Sequence, residues 1–342
     1  MLTRNRLELL LENFSKLTIG LVGDLFLDRY LMIEPGIEEM SVETDLEAHQ
    51  IQEVRNYPGA LGTVMNNLTA LGVRRVLPVT VIGDDGQGFD LLKEVSKLPA
   101  DVAGVLQTAN RLTPTYTKPM KQSSSGDWCE LNRLDLRTRG PIDEETTELL
   151  ARRLRDMFAA VDGLIVLDQI DESDWGVVNT SIRGALDELA AAEPEKLIFV
   201  DSRSRIGHFN SGVLKGNLSE MVKAAGLDSD DPQHAVAAAA PLSRKTGRAV
   251  FCTMGAEGIL VAFPDQSPIH VSGFPVKGPV DICGAGDSAT SGAVLSLCSE
   301  ATAAEAATVA NLVASITVQQ IGITGTATPE QVLGRFDETL GN

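Results

Sequence analysis

The chain has 342 residues, 43% apolar and 22% charged, which is enough apolar content for a large core and does not suit a disordered or low-complexity polymer. Its 29 Lys and Arg against 47 Asp and Glu leave a formal charge of −18. That field repels polyanions and anionic lipid, so nucleic acid and membrane are not expected partners, and an anionic small ligand must be held by local donors. Cys129, Cys252, Cys283 and Cys298 are far apart, and His49, His208, His234 and His270 lack metal spacing. This pattern fits reduced thiols in the cytoplasm and argues against zinc.

Acids interrupt the leucines of residues 7–12, an apolar stretch too short for a signal sequence or membrane span, and an amphipathic N-terminal helix is expected there. The run 17–22 reads as a buried strand ending at Gly23-Asp24. Further buried strands are expected at 76–82, 163–167, 197–200, 249–252 and 259–262, mostly separated by helical patterns such as 145–160 and 177–192. Strands alternating with helices predict a three-layer α/β/α fold around a mostly parallel sheet. Segments of about 29–57 and 105–135 break this rhythm and are expected to form a small β lid inserted in the α/β core, with Ser123–Asp127 as a turn. No repeat or interdomain linker is evident, so residues 1–342 are expected to form one domain.

After a strand expected at 269–276 comes Asp281-Ile282-Cys283-Gly284-Ala285-Gly286-Asp287, then a helical pattern of small and apolar residues. Gly284 and Gly286 can adopt positive φ and let backbone N–H groups approach a ligand at a helix N-terminus, so the turn can hold a phosphate without a lysine. Asp287 in the first turn could simply cap the helix. Beside such an anion hole, a carboxylate can also accept the proton of an attacking alcohol during phosphoryl transfer. By the same local reading, Asn217 and Glu220 suit a capping box, while Thr253, Gly255 and Gly258 suit a tight hairpin. Asp24 and Asp28 follow the first strand, where α/β proteins bind ligands.

The loop, late in the chain, resembles the Asp-x-x-Gly-Ala-Gly-Asp signature of the ribokinase-like (PfkB) carbohydrate kinases. The resemblance implies an ATP-dependent kinase with Asp287 as general base and Gly284, Ala285 and Gly286 as the anion hole. Asn217-Leu218-Ser219-Glu220 resembles the family's Asn-x-x-Glu, which implies a Mg²⁺ and phosphate role for Asn217 and Glu220. Thr253-Met254-Gly255-Ala256-Glu257-Gly258 resembles its nucleotide segment, giving Thr253, Gly255 and Gly258 as nucleotide contacts, with Asn311 near the adenine. Pro58-Gly59, Leu71-Gly72 and Gly83-Asp84-Asp85 resemble the earlier glycine signature.

Within the family, Gly23–Tyr30, Thr117-Lys118, Arg133-Leu134-Asp135 and Gly325–Thr328 are similar to segments of bacterial heptose-phosphate kinases. The acceptor is then a sugar or sugar phosphate bound by Asp24, Asp28, Gly59, Ala60, Thr63, Lys118 and Asp168. A monovalent cation is a further candidate cofactor, and a homodimer through the lid is expected. A nucleotidyltransferase domain, fused to the kinase in some of those proteins, is not expected within these 342 residues, which leave no room for it.

The chain departs from the family at Ala60, where a second Gly is usual, and at Thr63, where Asn is usual. It also reads Lys118-Pro119-Met120 and Asp168–Glu172 where the heptose kinases carry more cations, which weakens the case for a phosphorylated acceptor. Arg203, Arg205 and His208 could compensate. The Rossmann and P-loop glycine patterns are absent. The alternatives kept are a nucleoside or other small-alcohol kinase of the same fold and a non-catalytic sugar- or nucleotide-binding homologue.

Overall fold

In the computed structural model, which describes residues 2–37, 39–322 and 324–341, the chain runs α1 (Arg4–Phe14), β1 (Thr18–Gly23), β2 (Leu25–Ile33), β3 (Ile51–Ala60), α2 (Leu61–Ala70), β4 (Arg75–Gly83), α3 (Gly86–Val95), β5 (Val105–Thr108), β6 (Thr115–Gln122), β7 (Trp128–Glu130), β8 (Leu134–Leu136), α4 (Glu144–Phe158), β9 (Gly163–Asp168), α5 (Thr180–Ala192), β10 (Leu197–Ser202), β11 (Val213–Asn217), α6 (Leu218–Ala224), α7 (Ala235–Thr246), β12 (Val250–Thr253), β13 (Ile259–Ala262), β14 (Ile269–Val271), α8 (Ala285–Cys298), α9 (Ala303–Thr317) and α10 (Pro329–Thr339).

Nine strands form one sheet in the order β14-β13-β12-β11-β10-β9-β1-β4-β5. It is parallel from β5 to β12, and β13 and β14 are added antiparallel. β1 and β9 are buried at every residue, which is why they read as continuous apolar runs. Alternate side chains serve opposite faces. Ile19, Leu21, Ile165 and Leu167 join a core with α1, α2, α8, α9 and α10, whereas Val22, Leu164 and Val166 join a second core with α4, α5, α6 and α7. The result is the expected three-layer α/β/α arrangement. Among the described residues no helix is long and apolar enough to cross a membrane.

A second, five-stranded sheet stands apart as β3-β2-β6-β7, with β8 on β6. Its residues correct the lid boundaries expected from sequence. Val105–Thr108 pairs with β4 in the large sheet, so the second insertion contributes strands only from Thr115 to Leu136. The first insertion begins at Leu25, directly after β1, because β2 continues the chain into the small sheet. Ser123–Asp127 forms the expected turn, with Gly126 at φ 91°. The strand expected at 269–276 stops at Val271; Gly273 packs against the Ala256 carbonyl, and Pro275 has no N–H to extend the ladder. β11, which the sequence reading omitted, is a central strand containing Lys215.

Candidate active site

The carboxyl ends of β10 and β11 meet the start of α8, with the start of α2 and the small sheet beside the same turn. Gly284 is left-handed (φ 77°, ψ 1°) and acts as the N-cap of α8 without a side-chain bond. The N–H of Ala285 donates to Ile282 O at 3.1 Å and that of Ser288 to Gly284 O at 3.0 Å. The amides of Gly284, Gly286 and Asp287 have no acceptor among the described residues. Free donors at a helix start form an anion site. The expectation for Gly284 and Gly286 fits this geometry, whereas Ala285 spends its N–H inside the turn and Asp287 supplies a donor instead.

Asp287 is only partly exposed, and its carboxyl is pushed up to about 7, first by burial and then by Asp201, with Asp28 adding to the rise. Lys215 and Arg203 pull in the opposite direction. A carboxyl titrating near neutrality can take a proton from an alcohol and return it, which is how acid–base groups are poised.

A lysine that the sequence reading did not place there lies against the turn. A Cβ added at Gly286 would lie 3.0 Å from Lys215 Nζ, and the ammonium is buried in an ion pair with Asp201 at 2.7 Å. Neither Asp201 nor Lys215 was singled out from the sequence. The signals were present, in an acid closing the apolar run 197–200 and a lone lysine two residues before Asn217. Arg203, exposed just beyond β10, forms no ion pair among the described residues and faces Asp287, Glu220 and Tyr116.

Asn217 and Glu220 form the capping box of α6. Asn217 Oδ1 accepts from the Glu220 N–H at 2.9 Å, and the Asn217 N–H donates to Glu220 Oε2 at 2.7 Å. Burial, then the nearby Asp201, raise the Glu220 carboxyl above its usual range; the cap bond uses Oε2 and leaves Oε1 outside it. Among the described residues no cluster of three His, Cys, Asp or Glu side chains is arranged to hold a metal. Thr253, Gly255 and Gly258 lie at the β12–β13 hairpin, with the two glycines at φ 58° and 93°. Space beside Gly255 is open, whereas Gly258 packs against the Val271 carbonyl. Asn311 on α9 donates to Val271 O and Ser272 O at 3.0 and 3.1 Å, fixing the wall beyond that hairpin.

On the lid side, Asp28 lies on β2 with Lys118 Nζ at 3.6 Å; the ammonium also donates to Tyr30 Oη at 3.0 Å and sits 4.7 Å from that ring's centre. Burial holds the Asp28 carboxyl above its ordinary range despite this ammonium. Cys283 lies within electrostatic range of both Tyr30 and Lys118, so this lid face looks onto the glycine turn. Gly59 leaves room for the Asp28 carboxylate, which a Cβ there would displace. Thr63, at the start of α2, would meet a Cβ on Gly284 at 3.4 Å and therefore lines the turn. Ala60 sits at the hinge between β3 and α2 with φ 51° and ψ −112°, a conformation natural to glycine and strained for alanine.

Two residues expected to contact substrate have other work. Asp24 is buried and accepts the N–H groups of Gln169, Ile170 and Val177 at 3.0, 3.2 and 2.8 Å, tying the loop after β9 to the end of β1. Asp168 is buried in an ion pair with Arg205 and accepts from Ser202 Oγ at 2.7 Å. Both carboxylates are committed to the scaffold beneath the cleft. Arg205 is committed with them, and of the cations considered as compensation only Arg203 faces Asp287.

Residues 206–331 match the family described as pfkB family carbohydrate kinase, a span from just before β11 to the start of α10. The chain is 27% identical over 335 residues (97% of its length) to a protein named Bifunctional protein HldE from Geobacter metallireducens, and 29% identical over 340 residues (97%) to one of the same name from Mesorhizobium japonicum. It spans 65% and 64% of those two relatives. Among solved structures, phosphofructokinase-2 from Escherichia coli in complex with potassium aligns with TM-score 0.71 at 17% identity, covering 94% of this chain and 99% of that one. Arabidopsis thaliana ribokinase complexed with ribose and ATP aligns with TM-score 0.67 at 16% identity, covering 93% and 98%. At such identities the likeness shows a shared fold.

Proposed function

We propose that this chain, whose residues 206–331 match the pfkB family of carbohydrate kinases, transfers the γ-phosphoryl group of ATP to a hydroxyl of a sugar or sugar phosphate, with Asp287 as the base. The observation that carries this reading is an Asp287 carboxyl pushed up to about 7 in the first turn of a helix where the amides of Gly284, Gly286 and Asp287 have no acceptor among the described residues. The base accepts the hydroxyl proton as the new O–P bond forms and the bond to ADP breaks. The amides of Gly284, Gly286 and Asp287 offset charge on the transferred group, a preorganised arrangement that needs no rearrangement at the moment of reaction.

The nucleotide would lie along the β12–β13 hairpin against Thr253 and Gly255, with Asn311 behind it. Mg²⁺ suits the chemistry of this site. Asp201, Glu220 and Asp287 crowd around Lys215, leaving an excess of negative charge, and Glu220 retains an oxygen outside its cap bonds. Such an ion, held chiefly by phosphate oxygens and water with Glu220 and Asn217 at its edge, would neutralise charge on the triphosphate. The acceptor would lie under the lid between Asp28, Lys118 and Thr63. Arg203, whose charge acts on Asp287 and which forms no ion pair among the described residues, favours an acceptor that carries an anionic group. β3 leaves one long edge of the lid unpaired and most of its residues exposed, which supports pairing with a second copy.

The test is an ADP-release screen across sugars, sugar phosphates and nucleosides, with Asp287→Asn as control. Turnover on a sugar-class acceptor that falls by about 10²–10⁴ in the variant supports the reading. No turnover on any acceptor, or turnover confined to nucleosides, refutes it.

A further inference from the structure

Resting on the reading of Asp287 as base, we propose that the buried Asp201–Lys215 pair is the positioning element of that base, clamping the first turns of α8 to the sheet and fixing the charge beside the carboxylate. Three contacts place the pair. Lys215 Nζ and Asp201 Oδ2 are 2.7 Å apart, with both side chains 7% exposed. Thr290 Oγ1, one turn beyond Asp287, reaches the same Asp201 oxygen at 3.3 Å, joining β10 to α8. The ammonium also lies where a side chain at residue 286 would begin, so the glycine turn is built around it.

The pair acts on Asp287 with both signs, because Asp201 opposes ionisation and Lys215 favours it. The other charged groups facing the carboxylate are Arg203 beyond β10 and Asp28 from the lid, and the Cys283 thiol lies on its own loop. A scaffold ion pair would contribute to stability alone. A positioning pair must also move the protonation of Asp287, and in opposite directions when each member is removed.

The experiment uses the full chain with ¹³C-labelled aspartate carboxyls, the Asp287 signal being assigned by its loss in Asp287→Asn, together with kcat–pH profiles on the best acceptor. Lys215→Met should raise the Asp287 midpoint by about one pH unit or more, and Asp201→Asn should lower it by a similar amount. Lys215→Arg should keep the wild-type midpoint, and the double variant should fall between the two single ones. At pH 7, Lys215→Met should lose about tenfold in kcat with KM for ATP changed less than about threefold, and should recover at pH 9. An unmoved midpoint, or a shift in the same direction in both single variants, overturns the proposal. If Lys215→Met does not fold, the near-isosteric Asp201→Asn decides by the direction of its shift. If the wild type phosphorylates nothing, the kinase reading fails while the carboxyl titration still decides this inference.

Discussion

Replacing Asp287 by asparagine should make the protein more stable while removing its turnover. The carboxyl moves from an ordinary 3.8 to about 7 on folding, so the folded chain holds its proton more tightly than the unfolded chain. Folding stability is therefore unaffected by this group below about pH 4, falls as pH rises from about 4 to 7, and carries the full penalty above 7. At about 1.36 kcal/mol per unit, a shift of about three units sets a ceiling of about 4 kcal/mol. Partial exposure of the group and solvent screening leave an expected gain of about 1–2 kcal/mol in the variant at pH 8. For a chain of this size that is a Tm rise of a few °C. Differential scanning calorimetry of both proteins at pH 4, 6 and 8 measures it. The gap in Tm should open with pH; a gap that is constant, or a variant less stable at pH 8, refutes the reasoning.

Other substitutions test other parts of the site. Ala60→Gly should relieve the strained hinge and stabilise the protein by about 1 kcal/mol, read as a higher urea midpoint at unchanged m-value. A lower midpoint would show that the positive φ costs nothing there. Asp24→Ala strips three backbone N–H groups of their acceptor and should cost about 3 kcal/mol or more, seen as early melting and loss of soluble protein. A Tm close to wild type would return Asp24 to the list of substrate contacts. Lys118→Met should raise KM for the acceptor about tenfold and leave KM for ATP nearly unchanged, because its ammonium lies between Asp28 and Tyr30 on the lid. Equal effects on both KM values would place it outside the acceptor pocket.

The α/β layering was legible because buried parallel strands are apolar at every position, as β1 and β9 are, and helices carry their own caps and periodicity. β11 escaped because Lys215 interrupts a five-residue run, and an interior lysine is tolerable only beside Asp201, a partner distant in sequence. The glycine turn could be read locally, since φ and helix capping are properties of adjacent residues. Which of its amides stay free could not, because this depends on the fold of the turn itself. Asp24 and Asp28 looked alike in sequence, as acids after a strand. They part because Asp24 faces the amides of the loop after β9, while β2 carries Asp28 into the lid toward Lys118.

The most direct measurement of the central claim is kcat/KM for the best acceptor from pH 5 to 9 at saturating ATP and Mg²⁺. A carboxylate base at the glycine turn predicts a limb of unit slope rising to a plateau with its midpoint near the titration of Asp287, about 7. A flat profile across that range, or a limb that persists unchanged in Asp287→Asn, would contradict it.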